Sequence, residues 1–129
     1  MPNDDDAHAR ADTPNEVFRR RLREVREARG VSQYDLVREL RALGYPMRQP
    51  AITRIERGQR KVSLDEAVAI AAALNVLPER LYRTPLDWDD YMVAQAEMGP
   101  GEELTPDEAW LRVWAHQRRR EQSIQEEDQ

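Results

Sequence analysis

Gln49, Thr53 and Arg54 lie in one short run, RQPAITRIERGQR at residues 48–60, alongside Arg48, Arg57, Gln59 and Arg60 and just ahead of Lys61. These side chains recognise rather than react. Amide and guanidinium groups form planar, paired hydrogen bonds, and clustered cations attract a polyanion. The run's only aliphatic side chains are Ala51, Ile52 and Ile55. At about 100° per residue, burying the two isoleucines leaves Gln49, Thr53 and Arg54 on the opposite or flanking surface of a helix. Glutamine pairs with adenine through two hydrogen bonds and arginine with guanine, each pairing worth about 1–3 kcal/mol of discrimination. The chemistry implied is readout of base edges, with the neighbouring cations on phosphates.

Charge along the chain agrees with that reading. The 129 residues carry a net charge of -5, yet residues 15–83 hold fifteen Lys/Arg against nine Asp/Glu, a balance of +6. The other 60 residues hold five against sixteen, a balance of -11. A basic middle between acidic ends reads as a polyanion-binding module with solvating or partner-binding flanks, so the whole-chain pI of about 5.1 misleads.

Catalytic chemistry finds no support. There is no cysteine, which removes disulfides and thiolate metal sites and fits a reducing compartment. His8 and His116 stand far apart, and no Ser/His/Asp order, phosphate-cradling glycine loop or HExxH motif occurs. Asp87, Asp89 and Asp90 form an acidic cluster, but aspartate there serves a helix start. Neither a catalytic residue, a metal nor a cofactor is expected. The opening MPNDDDAHARAD carries acid where a secretory leader carries base, and no apolar run approaches about 18 residues, so neither export nor membrane insertion is expected.

The elements that must hold the reading face are helices. Thr13-Pro14-Asn15-Glu16 supplies a cap, a first-turn proline and a capping-box glutamate, followed by Val17, Phe18, Leu22 and Val25 at helical spacing and Gly30 as terminator, predicting a helix over about 14–29. Ser32 with Asp35 opens a second, about 33–43, with Leu36, Val37, Leu40 and Leu43 inward and Gly44-Tyr45-Pro46 ending it. The third, about 49–57, stops at Gly58. Ser63 with Glu66 opens a fourth, about 64–74, whose stripe reads Leu64, Ala67, Val68, Ala71 and Leu74. Pro78 starts a short fifth helix in which Leu81 and Tyr82 close the core. Nothing here alternates like a strand, so the class is all-α.

Beyond Arg83 the signals thin out. A helix capped near Asp87 would run to about Glu97, and Gly99-Pro100-Gly101 would stop it. Thr105-Pro106-Asp107-Glu108 opens another, reaching about Gln122. Trp110, Val113 and Trp114 on that helix are too apolar for a solvated face. They pack on their own chain, pair with a second copy, or hold a foreign partner.

Two short helices joined by a glycine-bearing turn, the second basic and polar outward, make a helix-turn-helix candidate, since a B-DNA major groove about 12 Å wide admits one helix. The stretch SQYDLVREL…MRQPAITRIERGQRKVSLDEAVAIAAALNV resembles the lambda-repressor-like, or xenobiotic-response-element, helix-turn-helix family over roughly residues 17–83. Ser32-Gln33, Leu36, Ile52, Ile55-Glu56, Gly58 and Ser63-Leu64 carry the resemblance. It implies that Gln33 contacts a phosphate and touches Gln49, that Gln49 and Arg54 touch bases, and that Arg57, Gln59, Arg60 and Lys61 grip the backbone; Arg48 is expected on phosphate as well, as one of the run's own cations. It also implies an ion pair tying Arg26 to Glu56. The chain departs from the pattern at RALGYP, six residues between Leu40 and Met47 where compact members place about one, at Val37 in place of a small alanine, and at Pro50 in place of a frequent reader.

These readings predict a disordered acidic tail over 1–12, a five-helix DNA-binding domain over 13–84, a helical extension over 85–122 that dimerises or binds a partner, and a disordered tail over 123–129. The expected role is a bacterial, cytoplasmic, nucleoid-associated regulator that binds double-stranded DNA and represses from a two-fold operator as a homodimer. The alternative is an antitoxin that autoregulates through the same domain. An enzyme is not expected.

Overall fold

The computed structural model describes residues 13–84, 88–98 and 101–127, so the expectation for residues 1–12 lies outside the described residues. Among the described residues there are seven helices and no strand. They divide between two compact units, Thr13–Thr84 and the segment from Pro85 onward. No helix is long and apolar enough to cross a membrane.

The first unit contains α1 (Pro14–Ala28), α2 (Gln33–Ala42), α3 (Gln49–Glu56), α4 (Leu64–Leu74) and α5 (Glu79–Tyr82). Side-chain caps set the starts: Thr13 accepts from the Glu16 N–H, and Ser32 with Asp35 and Ser63 with Glu66 form reciprocal capping boxes. Each box satisfies two backbone N–H groups that the first helical turn cannot. α1 lies against α3 and α5, and α2 against α3 and α4. The centre is filled by Phe18, Leu22, Leu36, Leu40, Ile52, Ile55, Ile70 and Leu81, each almost wholly enclosed. Burial of each stabilises the fold by about 1.5–3 kcal/mol relative to an exposed position.

Two details differ from the helical stripes read in the sequence. Leu43 is exposed because α2 ends at Ala42 and Leu43 is its C-cap, and Met47 takes the buried place beyond the turn. On α4 the buried stripe is Ala67, Ile70, Ala71 and Leu74, while Leu64 is 78% and Val68 50% exposed. A stripe at i, i+3, i+4 and i+7 that takes in Ile70 faces the core and turns Leu64 and Val68 outward. α4 ends on Asn75, which is left-handed at φ 57, a conformation that asparagine tolerates.

The second unit is a helical hairpin of α6 (Trp88–Ala96) and α7 (Pro106–Glu127). Its small core is Ala94, Leu104 and Ala109, with Tyr91, Met98 and Val113 packed around it. The Tyr91 hydroxyl donates to the Leu104 carbonyl at 3.1 Å, and Gln95 Oε1 accepts from the Leu104 N–H at 3.0 Å, so α6 braces the connection. Thr105 caps α7 by accepting from the Glu108 N–H. The cap expected at Asp87 lies outside the described residues. α7 continues to Glu127, past the end expected near Gln122, so residues 123–127 are helical rather than disordered; no glycine or proline interrupts it after Pro106. Residues 128–129 lie outside the described residues.

Candidate nucleic-acid interface

α3 begins with Pro50 in its first turn, where the missing N–H costs nothing, and buries Ile52 and Ile55. Gln49, Pro50, Arg54 and Arg57 are exposed, and Thr53 is half-buried. With Gln59 these residues line an open depression of about 370 Å³ on the outer side of the helix. Gln49, Thr53 and Arg54 therefore share one accessible face. Arg48, the residue before α3, and Lys61, in the loop after it, are also exposed.

Beneath that face runs a chain of polar contacts. Arg26 Nε donates to Glu56 Oε1 at 2.8 Å and Nη2 to Oε2 at 3.2 Å, with the two side chains only 11% and 6% exposed. Arg26 Nη1 also donates to the Val31 carbonyl at 3.0 Å. Gln33 Nε2 donates to Glu56 Oε2 at 2.7 Å, and Gln33 Oε1 accepts from Thr53 Oγ1 at 2.8 Å. The Thr53 hydroxyl also lies 3.2 Å from the Gln49 carbonyl. So Gln33, for which the resemblance implied contacts with a phosphate and with Gln49, is clamped between Glu56 and Thr53. These links join the ends of α1 and α2 to α3.

The loop after α3 divides its residues differently from the sequence expectation. Arg60 is engaged within the protein: Nη1 and Nη2 reach Glu66 Oε1 and Oε2 at 3.1 and 2.6 Å, so both terminal nitrogens face a carboxylate on α4. The hydrogen bond from Arg60 foremost holds the Glu66 carboxyl below its ordinary value; partial burial opposes it, and the Ser63 N–H adds a lesser lowering. Glu66 thus serves both the α4 cap and this pair. The Val62 N–H is fixed by Asn15 Oδ1 at 2.7 Å, anchoring the loop to α1.

Gly58 shapes the exit from α3. It is left-handed at φ +73, and the Gln59 N–H returns to the Arg54 carbonyl at 2.8 Å. A Cβ here would meet Arg19 Cδ at 2.9 Å, because the Arg19 stem crosses directly over the glycine. Arg19 thus joins the loop's edge, a placement the sequence does not single out from its neighbours. Arg21 and Arg23 are instead engaged with Glu24 and Glu27 at 2.7 and 2.9 Å.

Trp110, Val113 and Trp114 lie away from this surface in sequence and belong to the hairpin unit. All three are half-buried, Val113 packs on the hairpin core, and the Arg118 guanidinium sits 5.8 Å from the Trp114 ring.

Residues 22–81 match the protein-family model described as helix-turn-helix. The match covers a little under half of the chain and is to the lambda-repressor-like type of helix-turn-helix, a type of DNA-binding regulator domain that is generally non-enzymatic. Comparison with curated proteins and with solved structures found no match.

Proposed function

We propose that the chain is a sequence-specific repressor that inserts α3 into the major groove and binds a two-fold operator as a dimer. In this reading Gln49, Thr53 and Arg54 meet base edges, and Arg48, Arg57, Gln59 and Lys61 hold phosphates. Arg19 is added to the phosphate set, because its stem lies over Gly58 at the loop's edge. Arg60 is withdrawn from it, because Glu66 engages its guanidinium. The observation that carries the proposal is the open, cation-flanked depression lined by Gln49, Pro50, Thr53, Arg54, Arg57 and Gln59.

Dimerisation is supported by apolar side chains that each unit leaves exposed. Leu64, Val68 and Leu77 do so in the first, and Trp88, Met92, Val93 and Leu111 in the second. A second copy would also place two reading helices on one duplex about 34–36 Å apart, the spacing of successive major grooves. Selection of bound duplexes from a random pool tests the whole reading. An enriched palindrome with half-sites about one helical turn apart supports it. An unselective pool overturns it, and an enriched but asymmetric single site removes the dimer.

A further inference from the structure

Hydrogen bonds have direction, and the chain beneath the reading face has only one consistent set. Arg26 donates and cannot accept, so both Glu56 oxygens act as acceptors toward it. Gln33 must then present its NH2 to Glu56, which turns its carbonyl oxygen toward Thr53. A carbonyl accepts only, so the single hydroxyl proton of Thr53 points inward at 2.8 Å. A second acceptor within reach of that proton is the Gln49 carbonyl at 3.2 Å, and it too belongs to the protein. Thr53 nevertheless lines the open depression with Gln49 and Arg54. What the hydroxyl has left to offer outward is lone pairs.

From this we infer that the Arg26–Glu56–Gln33 relay fixes Thr53 as a hydrogen-bond acceptor, so that it selects an exocyclic amino group in the major groove, adenine N6 or cytosine N4, and not the acceptors of guanine. The inference rests on the reading of α3 as the groove-inserted helix and adds what one of its side chains recognises. A free threonine would discriminate poorly, because its hydroxyl rotates to donate or accept as the base requires. Here a charged pair, 11% and 6% exposed, removes that freedom from two side chains away. Gln33 and the ion pair act as positioning residues, and Thr53 alone touches the base.

The test is a double-mutant cycle between protein and DNA. Starting from the selected site, each adenine is replaced by purine and each cytosine by 2-pyrimidinone, which removes one amino group at a time. In parallel, 7-deazapurines remove an acceptor. Each duplex is titrated with the wild-type chain and with Thr53→Val and Thr53→Ser. At one position per half-site, amino removal should weaken wild-type binding about threefold to tenfold. Thr53→Ser should keep that loss, Thr53→Val should abolish it, and Gln33→Met, left with only the longer bond to the Gln49 carbonyl, should reduce it. Coupling of Thr53 to a deaza position, or to no position, overturns the inference while leaving DNA binding intact. Full coupling in Gln33→Met overturns the relay. If the wild-type chain selects no duplex, the groove reading itself fails and this inference fails with it.

Discussion

Arg26 and Glu56 form a two-pronged ion pair between the last turn of α1 and the end of α3, at 2.8 and 3.2 Å, in surroundings that leave each side chain little exposed. Thirty residues apart in sequence, they tie α1 to the end of α3 and head the polar chain that runs from Glu56 through Gln33 to Thr53. Because two charges are withdrawn from water together, removing one leaves the other unpaired. Arg26→Ala and Glu56→Ala should each lower the unfolding free energy by about 3–5 kcal/mol. Urea denaturation measures this, and a loss below about 1 kcal/mol would show the pair to be a weakly coupled surface contact.

The loop residues should separate in a salt titration. Lys61→Ala is expected to weaken binding to all sequences alike and to reduce the slope of log affinity against log salt by about one contact. Arg60→Ala should leave the slope unchanged, because Glu66 already engages that guanidinium. Equal slope changes in the two variants would return Arg60 to the phosphate set.

Glu66 gives the chain an acid-sensitive contact. Its carboxyl is held low in the folded state, chiefly by Arg60, so the folded protein binds fewer protons than the unfolded chain in the acid range. The stabilisation is complete above the unfolded value, about 4.3, and is lost as pH falls through the lower folded value. The stability difference between wild type and Glu66→Gln should therefore shrink as pH falls from neutrality towards about 3. Chemical denaturation across that range checks it, and a constant difference contradicts it.

Two glycines distinguish backbone strain from contact. Gly44 and Gly58 are both left-handed, at φ +76 and +73, but only at Gly58 would a Cβ meet a neighbour, Arg19. Alanine at either position should cost about 1 kcal/mol for the conformation alone. Only Gly58→Ala should also displace Arg19 and lower DNA affinity. Thermal melts paired with binding titrations resolve the two effects, and unaltered affinity in Gly58→Ala would remove Arg19 from the interface.

Much of the helical framework is legible in the sequence because its signals are local. Ser32 with Asp35 and Ser63 with Glu66 sit three residues apart, and Ile52 and Ile55 stay buried because their spacing matches one helix face. The stripe of α4 was less legible: alanines at several positions leave the apolar direction loosely defined, and only packing shows that Ile70 rather than Leu64 points inward. What governs the site is non-local. Asn15 reaches Val62 across 47 residues and Gln33 reaches Glu56 across 23, separations on which helical periodicity is silent. Arg60 and Lys61 look alike in sequence, and only the position of Glu66 on the folded α4 tells them apart.

The central claim is that the Gln49 and Arg54 face of α3 meets base edges. Repeating the random-pool selection with Arg54→Ala addresses it most directly. The account predicts a recognisable site in which preference at one position per half-site, a guanine in the wild-type selection, is relaxed while the remaining positions persist. A site identical to the wild-type one, base for base, would contradict it.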